Sequence, residues 1–140
     1  MTIANTPLAG EIFLLARLCF GLTLAYMGLN HFRATDYMAG YAASKGIPAP
    51  TAGVLVSGGM LVLGGLAIVV GAFPVLAAGA LAVFLLVSAV TIHDYWAAPE
   101  DQRSDEQTSF LKNVGLAGGA LCFLALGGVD WQYALNVGVF

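Results

Sequence analysis

The chain has 140 residues, of which 59% are hydrophobic and 9% charged, with a mean hydropathy of +0.86 and a formal net charge of -3. Ordinary soluble domains carry roughly 25% charge, and the long apolar stretches here leave no polar face for water, which excludes a soluble helical bundle and assigns the chain to a lipid bilayer. Five Lys and Arg residues that form no run exclude nucleic acid as a partner.

The first predicted span covers about residues 12–30, and only Arg17 interrupts it. No Lys or Arg precedes Arg17, so the segment lacks the basic start of a cleaved signal and reads as a retained span. In the connection that follows, Thr35 or Asp36 is placed to cap a short helix and Lys45-Gly46 to end it. Tyr37, Met38 and Tyr41 fall on one side of that helix, as expected of an element lying at the membrane interface. Pro48 and Pro50 forbid immediate helical continuation.

The second span, about 51–71, has no ionisable residue, and the tight link Gly71-Ala-Phe-Pro74 turns it back into the third, about 75–93. Residues 94–109 are polar, and the fourth span follows at about 110–129 with Lys112 and Asn113 in its first turn. The tail Asp130-Trp-Gln-Tyr133 has the character of an interfacial aromatic anchor. Four spans of about 20 residues use nearly the whole chain. The expectation is therefore all-α: one domain over residues 1–140, an integral membrane four-helix bundle with a short interfacial helix between spans 1 and 2. As a multi-pass protein of the cell membrane it should place loops 31–50 and 94–109 in the cytoplasm and the termini outside, because those loops hold Arg33, Lys45, Arg103 and Lys112 at their ends.

Helices in lipid attract one another through close approach at small residues. At about 100° per residue, Arg17, Gly21, Leu24, Gly28 and His31 form one stripe on the first span. Ser57, Gly64 and Gly71 recur every seven residues on the second, and Lys112, Gly115, Gly119 and Cys122 share a face of the fourth. These stripes are expected to point inward as packing faces, with Leu, Val and Phe facing lipid.

Arg17 lies about six residues into its helix, roughly 9 Å along the axis, and needs acceptors there. The choices are a backbone carbonyl, Asp130, a lipid phosphate or an anionic ligand. At the other membrane face the first span ends Gly28-Leu-Asn-His31, the third ends Thr91-Ile-His-Asp94, and the fourth begins Leu111-Lys-Asn113. In a four-helix bundle such ends share a small cross-section, so His31, His93, Asp94, Lys112 and Asn113 are expected to converge. With Arg17 they are the ligand-binding candidates; imidazoles beside a carboxylate suit holding and protonating a quinone carbonyl. HxxxH and ExxH spacings are absent, so no metal site is predicted. There is likewise no CxxC, no haem-attachment motif and no dinucleotide-binding glycine loop, which argues against autonomous catalysis and leaves the cofactor unknown. Cys19 and Cys122 read as small core residues inside apolar segments, two free and slowly reacting thiols.

Several of these segments together resemble the DoxX family: Ala16-Arg-Leu18 with Gly21, Tyr26-Met-Gly-Leu-Asn-His-Phe32, Tyr41-Ala, Gly46-Ile-Pro48, Gly64-Gly65 with Gly71, Thr91-Ile-His-Asp-Tyr-Trp96 and Phe110-Leu-Lys-Asn113. The resemblance runs from about Leu14 to Gly128. It departs from the family pattern at Met60-Leu61-Val62-Leu63, which is wholly apolar where many relatives carry a Glu before the paired glycines. It implies a four-helix membrane protein associated, in some relatives, with quinone-linked sulfur oxidation or with membrane oxidoreductase complexes in oxidative stress defence. Three functions are then in play: an accessory subunit of a membrane redox complex with redox partner proteins, a carrier or binding protein for a small apolar or anionic molecule, and a scaffold recruiting partners through Tyr95, Trp96 and the acidic connection. A homo-oligomer is compatible with each.

Overall fold

The computed structural model describes residues 8–138. Among these residues five α-helices follow one another: α1 Ala9–Arg33, α2 Thr35–Ser44, α3 Pro50–Val70, α4 Pro74–Thr91 and α5 Arg103–Ala125. A single 3-10 turn, Tyr95–Ala97, joins α4 to α5. Four of the helices are long and apolar enough to cross a membrane, and the short α2 lies between the first two of them. The architecture is the expected all-α membrane bundle, with each long helix beginning or ending within a few residues of the predicted limits except α5. That helix starts at Arg103, seven residues before the predicted span, because Asp105 and Glu106 in its first turn complement the helix dipole even though they add nothing to hydropathy.

Local chemistry fixes the turns. Pro50 and Pro74 each stand in the first turn of their helix, where a missing N–H costs nothing. Gly71 ends α3 with φ 68°, a left-handed conformation that glycine adopts without strain, and the chain reverses within three residues.

Packing follows the order α1, α3, α4, α5 around the bundle. The α1–α3 seam is the tightest, and glycines on both helices make it so. Gly21 meets Gly65 and Gly28 meets Gly58, in antiparallel register; a methyl on Gly28 would fall 2.7 Å from the Gly58 carbonyl oxygen and 2.8 Å from Leu61 Cβ. Between α3 and α4, Gly64 lies under Leu81. Leu24, Leu61, Ile68, Leu81 and Leu85 fill the centre, joined by Ala78, Ala117 and Ala120 where the backbones are close. Phe20 and Phe123 close the bundle between α1 and α5, with ring centroids 5.1 Å apart.

Three packing expectations change. Gly21 and Gly28 are buried as expected, and Ser57, Gly64 and Gly71 point inward, but toward different neighbours: His31, Leu81 and the tail residue Ala134. The seam against α1 instead uses Gly58 and Gly65, one residue further along. On α5 the inward face is Asn113, Ala117, Ala120 and Phe123; Lys112, Gly115 and Cys122 are exposed, and of that expected stripe only Gly119 is covered, by Phe20. The rotation is decided by Phe123 and Asn113, which have packing and hydrogen-bonding partners inside the bundle that glycine has not. Finally, Trp131 is no surface anchor: it is 4% exposed and belongs to the core, stacked edge-on against Phe13 at 5.1 Å.

Candidate functional site

Polar chemistry collects at the two ends of the bundle. At the end where α1 starts, the chain after α5 folds back over the bundle. Leu135 N–H donates to the Val70 carbonyl (2.8 Å) and Phe73 N–H to the Val137 carbonyl (2.6 Å), so the tail is stitched to the α3–α4 link. Asn136 and Trp131 exchange two hydrogen bonds, of 2.8 and 3.0 Å, and the Trp131 indole donates to the Leu126 carbonyl. Arg17 sits beneath this tail with no solvent exposure. Its guanidinium donates to the carbonyls of Gln132 (3.0 Å) and Tyr133 (2.7 Å) and lies 5.8 and 5.7 Å from the Phe13 and Trp131 ring centres. Of the acceptors open to it in the sequence, the backbone carbonyls of its own chain are the ones used. Glu11 stays outside, accepting from the Tyr133 hydroxyl, and that bond holds the phenol above its usual range.

At the opposite end, the predicted convergence divides into separate pairs. His31 Nδ1 lies 2.9 Å from Ser57 Oγ and 3.2 Å from the Val54 carbonyl, which ties α1 to α3. Asn113 donates to Ser88 Oγ at 3.3 Å and ties α5 to α4. Lys112 points outward and makes no hydrogen bond or ion pair among the described residues. His93 and Asp94 do come together, with three residues, Tyr41, Lys45 and Glu106, that were not among the ligand-binding candidates of the sequence. His93 Nδ1 is 2.9 Å from Glu106 Oε2, the other oxygen of Glu106 accepts from the Tyr41 hydroxyl, and Asp94 pairs with Lys45. Burial first, then the Glu106 carboxylate and the Asp94 charge, push the Tyr41 phenol well above its ordinary value. The five side chains lock α2, the end of α4 and the start of α5 into one interfacial platform.

Beside the platform lies an open cleft of about 410 Å³ lined by Tyr41, Ser44, Lys45, Asp94, Ala97, Pro99 and Gln102. Tyr95, Trp96 and Phe110 form a mutually edge-on aromatic cluster with centroids 5.3 to 5.8 Å apart next to it. A signal for Glu106 was present in the sequence: Glu106, Asn113 and Ala120 stand seven apart and share one helix face. No such signal exists for Tyr41 or Lys45, whose partners come from 65 and 49 residues away.

The DoxX family model matches residues 12–94, more than half of the 140-residue chain. The chain belongs to the DoxX family. The match takes in Arg17, His31, Tyr41, Lys45, His93 and Asp94, and ends at Asp94; Glu106 and the segment Phe110 to Asn113, to which the sequence resemblance extends, stand beyond it. No curated protein and no solved structure matches the DoxX chain.

Proposed function

We propose that this DoxX protein is an accessory subunit of a membrane oxidoreductase complex, quinone-linked or serving oxidative stress defence, rather than an enzyme in its own right. The observation that supports the reading is the interfacial platform. His93, Asp94, Glu106, Lys45 and Tyr41 are engaged with one another, which suits a rigid docking and headgroup-facing surface better than a set of free acids and bases. The loop end would then face the cytoplasm, as the distribution of Lys and Arg favours. Membranes from cells lacking the chain should lose quinone reduction by the complex, and native mass spectrometry of the protein in lipid nanodiscs should retain a quinone or a flavin- or haem-bearing chain. Unchanged quinone reduction in those membranes would sink the reading.

The open cleft favours a second reading, a binding protein or carrier for a small anionic molecule held by Lys45 and Tyr41. Under it the same mass spectra show a small molecule and no partner chain, and Lys45→Ala removes that molecule.

A further inference from the structure

The cleft beside the platform opens at the level of the lipid headgroups. Its walls are the end of α2 and the chain between α4 and α5, both beyond the ends of the spans they follow. Tyr37 and Trp96, at the same end of the bundle, are largely exposed. Exposed Tyr and Trp rings mark the boundary between hydrocarbon and water. At about 410 Å³ the cleft falls within the range of small-molecule sites, about 300 to 1,000 Å³.

The charges on its walls are opposite in sign and equal in number. Lys45 and Asp94 both line it and pair with each other, with 16% and 24% of their side chains exposed. The platform's other carboxylate is occupied elsewhere: one oxygen of Glu106 accepts from the Tyr41 hydroxyl and the other lies 2.9 Å from His93. A purely anionic guest therefore meets Asp94 at the same time as Lys45. Glu100 and Asp101, both exposed, stand in the wall between Pro99 and Gln102 and add to the repulsion. A purely cationic guest meets Lys45. A guest that carries an oxyanion and an ammonium a few bonds apart satisfies both, with two ion pairs where the protein alone has one. A pair this open to water is held weakly, so its partners exchange at little cost.

The ammonium must be a primary one. Asp94 offers a carboxylate, which takes N–H donors; a trimethylammonium has none and needs aromatic faces around it. Tyr41 is the one aromatic ring among the lining residues, and Lys45 Nζ already sits 5.5 Å from its centre. Resting on the second reading only in taking the cleft for a binding site, we infer that it holds the headgroup of a phospholipid in which a phosphate is joined to a primary ammonium, as in phosphatidylethanolamine. The phosphate pairs with Lys45 and the ammonium with Asp94, Ser44 and Gln102 supply neutral hydrogen-bonding groups, and the acyl chains stay in the bilayer.

The test uses the full chain, stripped of lipid in detergent and offered phosphatidylethanolamine, phosphatidylcholine and phosphatidylglycerol with identical acyl chains. Bound lipid is counted by native mass spectrometry. The wild type should retain phosphatidylethanolamine about tenfold over either competitor, one decade in affinity. Asp94→Asn leaves the cation without its carboxylate and should turn the preference to phosphatidylglycerol. Lys45→Asp combined with Asp94→Lys restores the pair and should restore phosphatidylethanolamine; this variant carries the test alone if Asp94→Asn loses its helical content. Equal retention of the three lipids, a wild-type preference for either competitor, a preference for phosphatidylethanolamine that survives Asp94→Asn, or its loss in the folded double variant would each overturn the assignment. Free O-phosphoethanolamine at equal concentration should not displace the lipid; if it does, the ligand is a soluble zwitterion and the lipid assignment falls. A small anion retained in the cleft without phosphatidylethanolamine leaves the second reading standing and removes this one, and phosphatidylethanolamine retained without an anion does the reverse.

Discussion

Arg17 shows how a single charge organises a terminus. Among the described residues its guanidinium has no carboxylate partner; two consecutive carbonyls and two aromatic faces hold it instead. Hydrogen bonds from a charged donor are worth about 1.5 to 3 kcal/mol each, so Arg17→Met should release the tail. Tyr133 and Asn136, at φ 55° and 51°, have no reason to keep left-handed backbone once the tail is free. Protease cleavage after Trp131 and a red shift of its fluorescence should both appear in the mutant. A tail as protected as in the wild type would mean that the stitches to Val70 and Phe73 suffice. Tyr41 offers a pH test at the other end. Its folded phenol is raised above the ordinary value of 10.0. The stabilisation is therefore complete below pH 10 and is lost as the pH rises above it, because the unfolded chain gives up the proton first. Thermal stability in detergent should fall more steeply above pH 10 for the wild type than for Tyr41→Phe; parallel curves would contradict the Glu106 pairing.

Among the elements, glycine has two distinct jobs. At the α1–α3 seam it lets carbonyl oxygens of one helix approach the backbone of the other, and Gly28→Ala puts a methyl 2.7 Å from the Gly58 oxygen with nowhere to move. Overpacking of this kind costs about 1 to 3 kcal/mol. On the outer face of α5, Gly115→Ala meets nothing and replaces a weak helix former with the best one, a gain of up to about 1 kcal/mol. The unfolding temperature of the isolated protein in detergent should thus drop for Gly28→Ala and hold or rise for Gly115→Ala. Equal losses would restore Gly115 to an inward face. Cys122 shares that outer face and Cys19 is also exposed, so neither is the buried core thiol expected from the sequence, and both should react with a lipid-soluble maleimide.

Across the whole molecule, the two ends are chemically distinct: the tail clamps one and the ion-pair platform the other. Single cysteines at Ser44 and Ser104 should label with an impermeant reagent from one side of the membrane, and a cysteine at Leu135 from the other. From the Lys and Arg distribution the Ser44 side is expected to be the cytoplasmic one. Labelling of all three from one side would refute the four-span arrangement itself.

Hydropathy and punctuation by themselves determined the class, the count and rough limits of the spans and the short helix between the first two, because exclusion of polar groups from lipid acts on each segment separately, while the family was legible in short motifs such as Tyr26-Met-Gly-Leu-Asn-His-Phe32. The prolines at 48, 50 and 74 and the glycine at 71 did the same for the turns, since φ preferences are local. The rotation of each helix about its axis was decided by tertiary packing. In lipid, inside and outside are both apolar, so periodicity is weak, and the α5 face was settled only by what Phe123 and Asn113 found to pack against. Trp131 went to the core rather than the interface for the same reason: Arg17 offered it a buried cation, 114 positions away in sequence. The pairing of His93 with Glu106 and of Asp94 with Lys45, in place of one converging site, likewise depended on where α2 docked, and that is set by long-range contacts that no local pattern encodes.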